Sequence, residues 1–282
     1  MTMSEAEERR FRGAHGETIV YDLYRPDAGE PRAVVVIAHG MGEHGRRYRH
    51  VVDALTGAGY LVAVPDHLGH GRSGGARMRI IRFNQYTDDL ARVVSETAID
   101  GVPTFLIGHS MGGCIALDYA LDHPEALAGL VLSGAAIMPG DDLPGPLIAV
   151  SKLVGKIAPN LPTLALDSGS ISRDPAVVAD YESDPLVHRG KIPARLGAEM
   201  VSTMQSFPAR LPSLRMPVLV MHGSEDTLTN PDGSRLVDEL ASSTDKTLII
   251  WDGLRHEIFN EPEKDEVIGT LTRWLAQRVG AS

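Results

Sequence analysis

The chain has one cysteine, Cys114, so no internal disulfide can staple it, and the setting it fits is a reducing one such as the cytoplasm. Lying in an apolar stretch, that cysteine reads as a small buried packing residue rather than a reactive thiol. Positive charge is short as well. Against 37 aspartates and glutamates stand 27 lysines and arginines, for a net charge of −10. With no basic stripe to offset that balance, nucleic acid is not an expected partner, and no polybasic cluster is present to hold the chain on an anionic membrane. No stretch supplies the roughly twenty consecutive apolar residues of a spanning helix. The opening MTMSEAEERRFRG is charged and has no apolar segment, so a secretory leader is not expected. Internal repeats and low-complexity tracts are also missing.

What is present suits one large α/β core with an insertion: 282 residues, 43% of them hydrophobic and 23% charged. Thr18–Tyr24 (TIVYDLY) alternates in polarity behind the turn residues His15 and Gly16, which predicts an N-terminal antiparallel hairpin. Ala33–Ala38 is nearly all Val and Ile, the pattern of a strand buried on both faces. A helix over 48–59 closed by glycine, a strand over 60–64, a helix over 88–97, a strand over 104–107, a helix over 114–121 and a strand over 129–132 follow. The alternation resumes with a strand over 218–221, a helix over 233–241, a strand over 247–251 and an amphipathic helix over 265–278. Strands alternating with helices imply right-handed crossovers and a mostly parallel sheet with helices on both faces.

Residues 138–207 break this rhythm. They carry no convincing buried strand and are rich in proline (Pro139, Pro144, Pro146, Pro159, Pro162, Pro175, Pro185, Pro193). Their segment 147–157 is an apolar-leaning helix whose polar members are Ser151, Lys152 and Lys156. The expected division is a core over 1–137 and 208–282, with 138–207 inserted as a cap over the top of the sheet; so short a piece cannot build much core of its own.

Three of the apolar runs end in knots of chemical residues: HGMGEHG from His39, GHSMGG from Gly108 and HGSED from His222. The middle one contains a G-x-S-x-G pentapeptide, which chance produces easily. Its placement between a buried strand and a helix puts Ser110 on a sharp strand-to-helix turn with its hydroxyl exposed above the sheet. A serine hydroxyl is a weak nucleophile at neutral pH and needs an imidazole to take its proton. The imidazole needs a carboxylate to hold its tautomer. His256 follows the last strand and a Gly253 turn; Asp226 and its neighbour Glu225 both follow the strand over 218–221. The oxygen that turns negative during attack is best held by fixed backbone N–H groups; those of Met111, directly after the serine, and Met41, after the Val-rich strand, are in place for it. Of the 11 histidines, His39 and His222 each precede a glycine at a strand end, where organising the backbone is the expected role. Asp66, His67 and His70 suggest a metal set, but no second cluster completes it and the serine chemistry needs none. A glycine-rich turn packed under the catalytic loops is expected there instead, with no metal or cofactor.

These residues resemble the α/β-hydrolase superfamily over essentially the whole chain, and more narrowly the monoacylglycerol lipases, bacterial members included. The resemblance rests on His39-Gly40-Met41-Gly42-Glu43-His44, on Gly108-His109-Ser110-Met111-Gly112-Gly113 and on the turn from Asp66 to Ser73. It extends to Ser172-Arg173-Asp174, Ser183-Asp184-Pro185-Leu186 and Asp245-Lys246-Thr247. It implies an α/β-hydrolase fold with a helical cap, selects Asp226 over Glu225, and implies a triad of Ser110, Asp226 and His256 with an oxyanion hole at Met41 and Met111. It further implies that Glu43 and Arg47 bind the glycerol hydroxyls of a monoacylglycerol; a surface ion pair is the competing reading.

A monoacylglycerol needs an apolar channel for its acyl chain, to which Ile148, Leu153, Ile157 and Leu164 of the cap are the candidate contributors; packing within the cap is their alternative role. An outward apolar face on the cap would also meet a lipid surface transiently, leaving a cytoplasmic protein peripherally associated with membrane. Lysophospholipids and short esters are the rival substrates, and a binding protein that kept the fold without the chemistry is the rival class. Dehalogenases and epoxide hydrolases of this fold need an aspartate where Ser110 stands.

Overall fold

The computed structural model describes residues 5–26, 28–140 and 145–279, the last of these without the side chains of 145–147. Pro144 and the first residues of the opening segment lie outside that set, as does the Pro146 side chain. The N-terminal hairpin is β1 (Glu7–Arg12) and β2 (Thr18–Tyr24), antiparallel as its alternation predicted. There follow β3 (Ala33–Ala38), α1 (Arg49–Gly57), β4 (Tyr60–Asp66), α2 (Asn84–Thr97), β5 (Thr104–His109), α3 (Met111–Asp122) and β6 (Gly129–Ser133). Between β6 and β7 come α4 (Gly145–Ile157), α5 (Pro175–Ser183) and α6 (Ala194–Met204), and the short α7 (Phe207–Arg210) leads back to the sheet. The core closes with β7 (Val218–Gly223), α8 (Pro231–Leu240), β8 (Lys246–Trp251) and α9 (Lys264–Val279).

One eight-stranded sheet results, in the order β1-β2-β4-β3-β5-β6-β7-β8. Strands β3 to β8 are parallel; β2 alone runs against them, and β1, antiparallel to β2, returns to their direction. Because side chains alternate along a strand, β3 serves two cores at once. Val34 and Val36 pack with Leu90 and Val93 of α2 and Ile115 of α3. Val35 and Ile37 face the other way, toward Val51 and Leu55 of α1 and Leu271 and Leu275 of α9. Each such side chain contributes about 1.5–3 kcal/mol over leaving it in water. In α9, Val267, Leu271, Trp274 and Leu275 repeat at the helical period, and all four are buried.

The chain leaves β3 toward β4 on one side and β5 toward β6 on the other. Between β3 and β5 the winding therefore reverses, and the crevice beyond the carboxyl ends of such strands is where open α/β sheets bind ligands. The loops after β3, β5, β7 and β8 carry the four chemical clusters read from the sequence. In the insertion, α4 lies against α6 at Gly155, where an added Cβ would stand 2.6 Å from Ala198 Cβ. Among the described residues no helix is long and apolar enough to cross a membrane.

Candidate active site

Ser110 stands alone between β5 and α3, with φ 54° and ψ −119°. Among the described residues Met78 is the one other non-glycine residue at positive φ. Such a backbone costs on the order of 1–3 kcal/mol and persists only where the surroundings over-determine it. Here they do. The Ser110 N–H donates to Ser133 O at 3.1 Å, and the Ser110 carbonyl accepts from Gly113, Cys114 and Ala136. The surrounding glycines are there for room. A Cβ at Gly108 would stand 2.6 Å from Ala116 Cβ and 2.7 Å from Gly113 Cα, and one at Gly112 would overlap the carbonyls of Ala38 and His39. Helix α3 can thus seat directly on β3 and β5, which leaves Ser110 half-buried above buried neighbours.

The acid and the imidazole meet across the same edge. His256 Nδ1 lies 2.7 Å from Asp226 Oδ2, both side chains being buried. The other oxygen of Asp226 accepts the backbone N–H groups of Leu228 and Thr229 at 2.8 and 3.0 Å. Glu225 points into solvent. Burial alone would push the Asp226 carboxyl up, but the neighbouring His256 and His222 imidazoles hold it far below the usual carboxylate range. For His256 burial disfavours the cation, and the Asp226 charge outweighs it and raises the ring above its ordinary value. The His256 ring lies 4.7 Å, centroid to centroid, from that of His109, the residue before Ser110. Burial and the nearness of His256 lower His109 to about 4, so it stays neutral beside a protonated partner.

The loop after β3 is braced from below. Glu43 Oε1 accepts the Gly40 N–H at 2.5 Å and the Tyr48 hydroxyl at 2.7 Å. Arg47 bridges Glu43 at 2.6 Å and Glu257 through two bonds at 2.6 and 2.8 Å, with Tyr181 4.8 Å over its guanidinium. Met41 is half-buried in this loop; Met111 is fully buried at the first turn of α3, where the leading N–H groups of a helix have no partner within it. The two positions flank the serine from the neighbouring strand ends, β3 and β5.

A family model described as serine aminopeptidase, S33, matches residues 29–263. The chain belongs to the S33 family of α/β-hydrolases. The monoacylglycerol lipase of Mycolicibacterium smegmatis is 42% identical over 281 residues, which cover 99% of this chain and 100% of that one. Among solved structures, the Paleococcus ferrophilus monoacylglycerol lipase superposes with a TM-score of 0.81 at 35% identity, covering 91% of this chain and 99% of that one. A soluble variant of the Saccharomyces cerevisiae monoglyceride lipase, solved with a substrate analogue, gives 0.85 at 26% identity and covers 99% and 96%.

Several sequence expectations change in this S33 hydrolase. The surface alternative for Glu43 and Arg47 fails: their side chains are 4% and 10% exposed, and a third member, Glu257, completes the group from the loop after β8. His39 does organise backbone, with Nδ1 2.8 Å from Gly40 O and Nε2 accepting the His67 N–H. His222 instead meets side chains, its Nε2 3.0 Å from Asp226 Oδ2 and its Nδ1 2.7 Å from Ser234 Oγ. The Asp66 carboxylate is taken up by Gly45 and by the Arg72 backbone and guanidinium. Burial lowers His67 to about 3 and His70 to about 4, so both are neutral packing groups beneath the loops.

Of the four cap side chains expected around an acyl chain, Ile148 is buried, while Leu153, Ile157 and Leu164 are 56%, 73% and 67% exposed. Packing within the cap is therefore not the role of those three. A cavity of about 150 Å³ beside Met41 and Gly42 is lined instead by Met78, Leu166, Tyr181 and Ile192, among others. The His188 N–H donates to Gly42 O at 2.7 Å, tying the insertion to the loop after β3.

Proposed function

We infer that this S33 hydrolase is a monoacylglycerol lipase, cleaving the ester of a monoacylglycerol to a fatty acid and glycerol through an acyl-enzyme. The observation that carries the chemistry is the buried carboxylate–imidazole bond between Asp226 and His256, set on the same sheet edge as a serine held in a strained turn. The names of its close, full-length relatives support the substrate.

In this reading Ser110 Oγ attacks the ester carbonyl as His256 Nε2 takes the hydroxyl proton, and Asp226 orients the ring and stabilises the imidazolium. The N–H groups of Met41 and Met111 hold the oxyanion. Collapse breaks the bond to glycerol, and the proton on His256 goes to the departing alkoxide. His256 then deprotonates a water that attacks the acyl carbon; fatty acid leaves and Ser110 regains its proton. Glu43 and Arg47 serve the glycerol end, from beneath the loop that carries Met41.

Residues 138–207 form the cap in this account. Ile148 contributes to the acyl path, and Leu153, Ile157 and Leu164 present the apolar face that rests on a lipid surface, from which the acyl chain enters. Each methylene the path encloses is worth about 0.8 kcal/mol of binding. Turnover of monooleoylglycerol, lysophosphatidylcholine and a short p-nitrophenyl ester tests the assignment. The monoacylglycerol gives the highest kcat/KM; preference for the lysophospholipid assigns the enzyme to that substrate instead.

A further inference from the structure

Asp226 has a second imidazole. His256 Nδ1 approaches its Oδ2 at 2.7 Å, and His222 Nε2 approaches the same oxygen at 3.0 Å. His222 is the penultimate residue of β7 and has no solvent exposure, and its Nδ1 lies 2.7 Å from the hydroxyl of Ser234, itself fully buried on α8. The Thr229 hydroxyl completes the group, 2.8 Å from Asp226 Oδ2 and 2.9 Å from Gly134 O.

The Asp226 contact fixes what His222 can do. A neutral imidazole has one N–H and one bare nitrogen, and the bond at one nitrogen decides which is which. An ionised carboxylate only accepts, so the Nε2 that faces Asp226 carries the proton, and in the neutral ring the bare Nδ1 accepts from the Ser234 hydroxyl. A protonated ring would donate there as well. Either way Asp226 Oδ2 receives a second N–H donor besides that of the imidazole proposed to do the chemistry.

We propose that His222 is a positioning residue for the reaction: locked by Ser234, it holds Asp226 ionised and aligned and thereby sets how readily His256 takes the proton of Ser110. The proposal rests on the triad reading above and goes beyond it. With no solvent exposure, His222 is not a group that meets substrate. Its effect passes through charge. Each donor on Oδ2 draws off part of the negative charge that Asp226 offers His256. Removing it leaves His256 more basic and Asp226 less well anchored. On its other side His256 faces His109, Glu43 and Glu257, and those groups stay in place in every variant below. Among the described residues, the hydroxyls of Ser234 and Thr229 also face His222.

The test compares H222L, H222Q, S234A and D226N. Each is measured for kcat, KM and the pH profile of kcat/KM on a monoacylglycerol, per active serine counted by fluorophosphonate titration. Losing one outer hydrogen-bond partner of a functional group typically costs about tenfold to hundredfold. H222L is expected to lose kcat in that range with KM within about twofold, and its acid limb moves to higher pH. H222Q, which still donates an N–H from a comparable reach, recovers kcat to within about threefold and restores the limb. S234A, which frees the ring but keeps it, moves the limb the same way by less. Wild-type kcat and pH profile in H222L, or equal losses in H222L and H222Q, overturn the proposal. Should H222L fail to fold, an unmoved limb in S234A overturns it. If D226N also keeps full kcat, the triad reading itself falls and takes this inference with it.

Discussion

Gly134 passes so close to His256 that a Cβ added there would lie 2.9 Å from its carbonyl oxygen and 3.3 Å from its Nδ1. The same Cβ would stand 3.4 Å from Asp226 Oδ2, and the Gly134 backbone has φ +50°. The tip of β6 is therefore a template against which acid and imidazole are pressed together. In G134A the left-handed backbone costs about 1–2 kcal/mol, and the methyl wedges the pair apart. The expected result is a lower thermal midpoint and a fall in kcat of about a hundredfold with little change in KM, read by calorimetry and initial rates.

The carboxylate on His256 is Asp226 and not its neighbour. D226N keeps the shape but favours the wrong ring tautomer, and kcat should fall by about 10⁴. E225Q, at an exposed position, should leave kcat within about twofold. Paired steady-state measurements decide it.

The pH profile follows from the same bond. Burial lowers the His256 pKa, and the Asp226 charge more than offsets this, so the folded ring titrates above its ordinary 6.5. The reaction needs the neutral ring, so kcat/KM is full above that raised value and is lost as pH falls through it. Asp226, held far below its ordinary 3.8, stays ionised across that window. His109, at about 4, stays neutral there. A single acid limb with its midpoint above 6.5 is expected; a limb centred well below 6.5 contradicts it.

Strain at Ser110 separates stability from catalysis. Both S110A and S110G should lose hydrolysis, but glycine accepts φ 54° without the cost a Cβ imposes, about 1–2 kcal/mol. S110G should therefore melt several degrees above S110A, at roughly 2–4 °C per kcal/mol for a chain of this size.

The cap face gives a prediction of its own. Replacing Leu153, Ile157 and Leu164 by serine removes exposed apolar side chains without opening the core. Binding to lipid vesicles and turnover of vesicle-borne monoacylglycerol should fall about tenfold or more, while hydrolysis of a soluble short ester stays within about twofold. Flotation with vesicles and the two rate assays check it.

The strands β3, β5 and β7 were legible as apolar runs, and Ser110 and His256 as chemical residues that follow such runs; Asp226 was told from Glu225 only by the family resemblance. The seating of α3 was legible only in part; the glycines announce a tight turn but not which carbonyls they clear. What the sequence hid is what depends on distant segments meeting. Arg47 and Glu257 are 210 residues apart, and nothing local to either says that they pair in the interior rather than on the surface. His222 carries the same two letters, His-Gly, as His39, yet one bonds backbone and the other Asp226, because α8 brings Ser234 under only one of them. The cap was read as an insertion from its prolines, but a mostly apolar helix does not disclose which side faces water; Leu153 and Ile157 turned out to be exposed, and Leu166 and Ile192 line the cavity instead. Met78, in a loop between β4 and α2, has no sequence signal for its positive φ.

The most direct test of the central claim is to catch the acyl group. Wild-type enzyme mixed with excess monooleoylglycerol, quenched in acid within milliseconds and digested, should yield a peptide containing Ser110 heavier by one oleoyl group, absent from S110A and all but lost in H256A, which lacks the base that activates the serine. Hydrolysis that proceeds with Ser110 unmodified, or with the acyl group on another residue, would contradict the account.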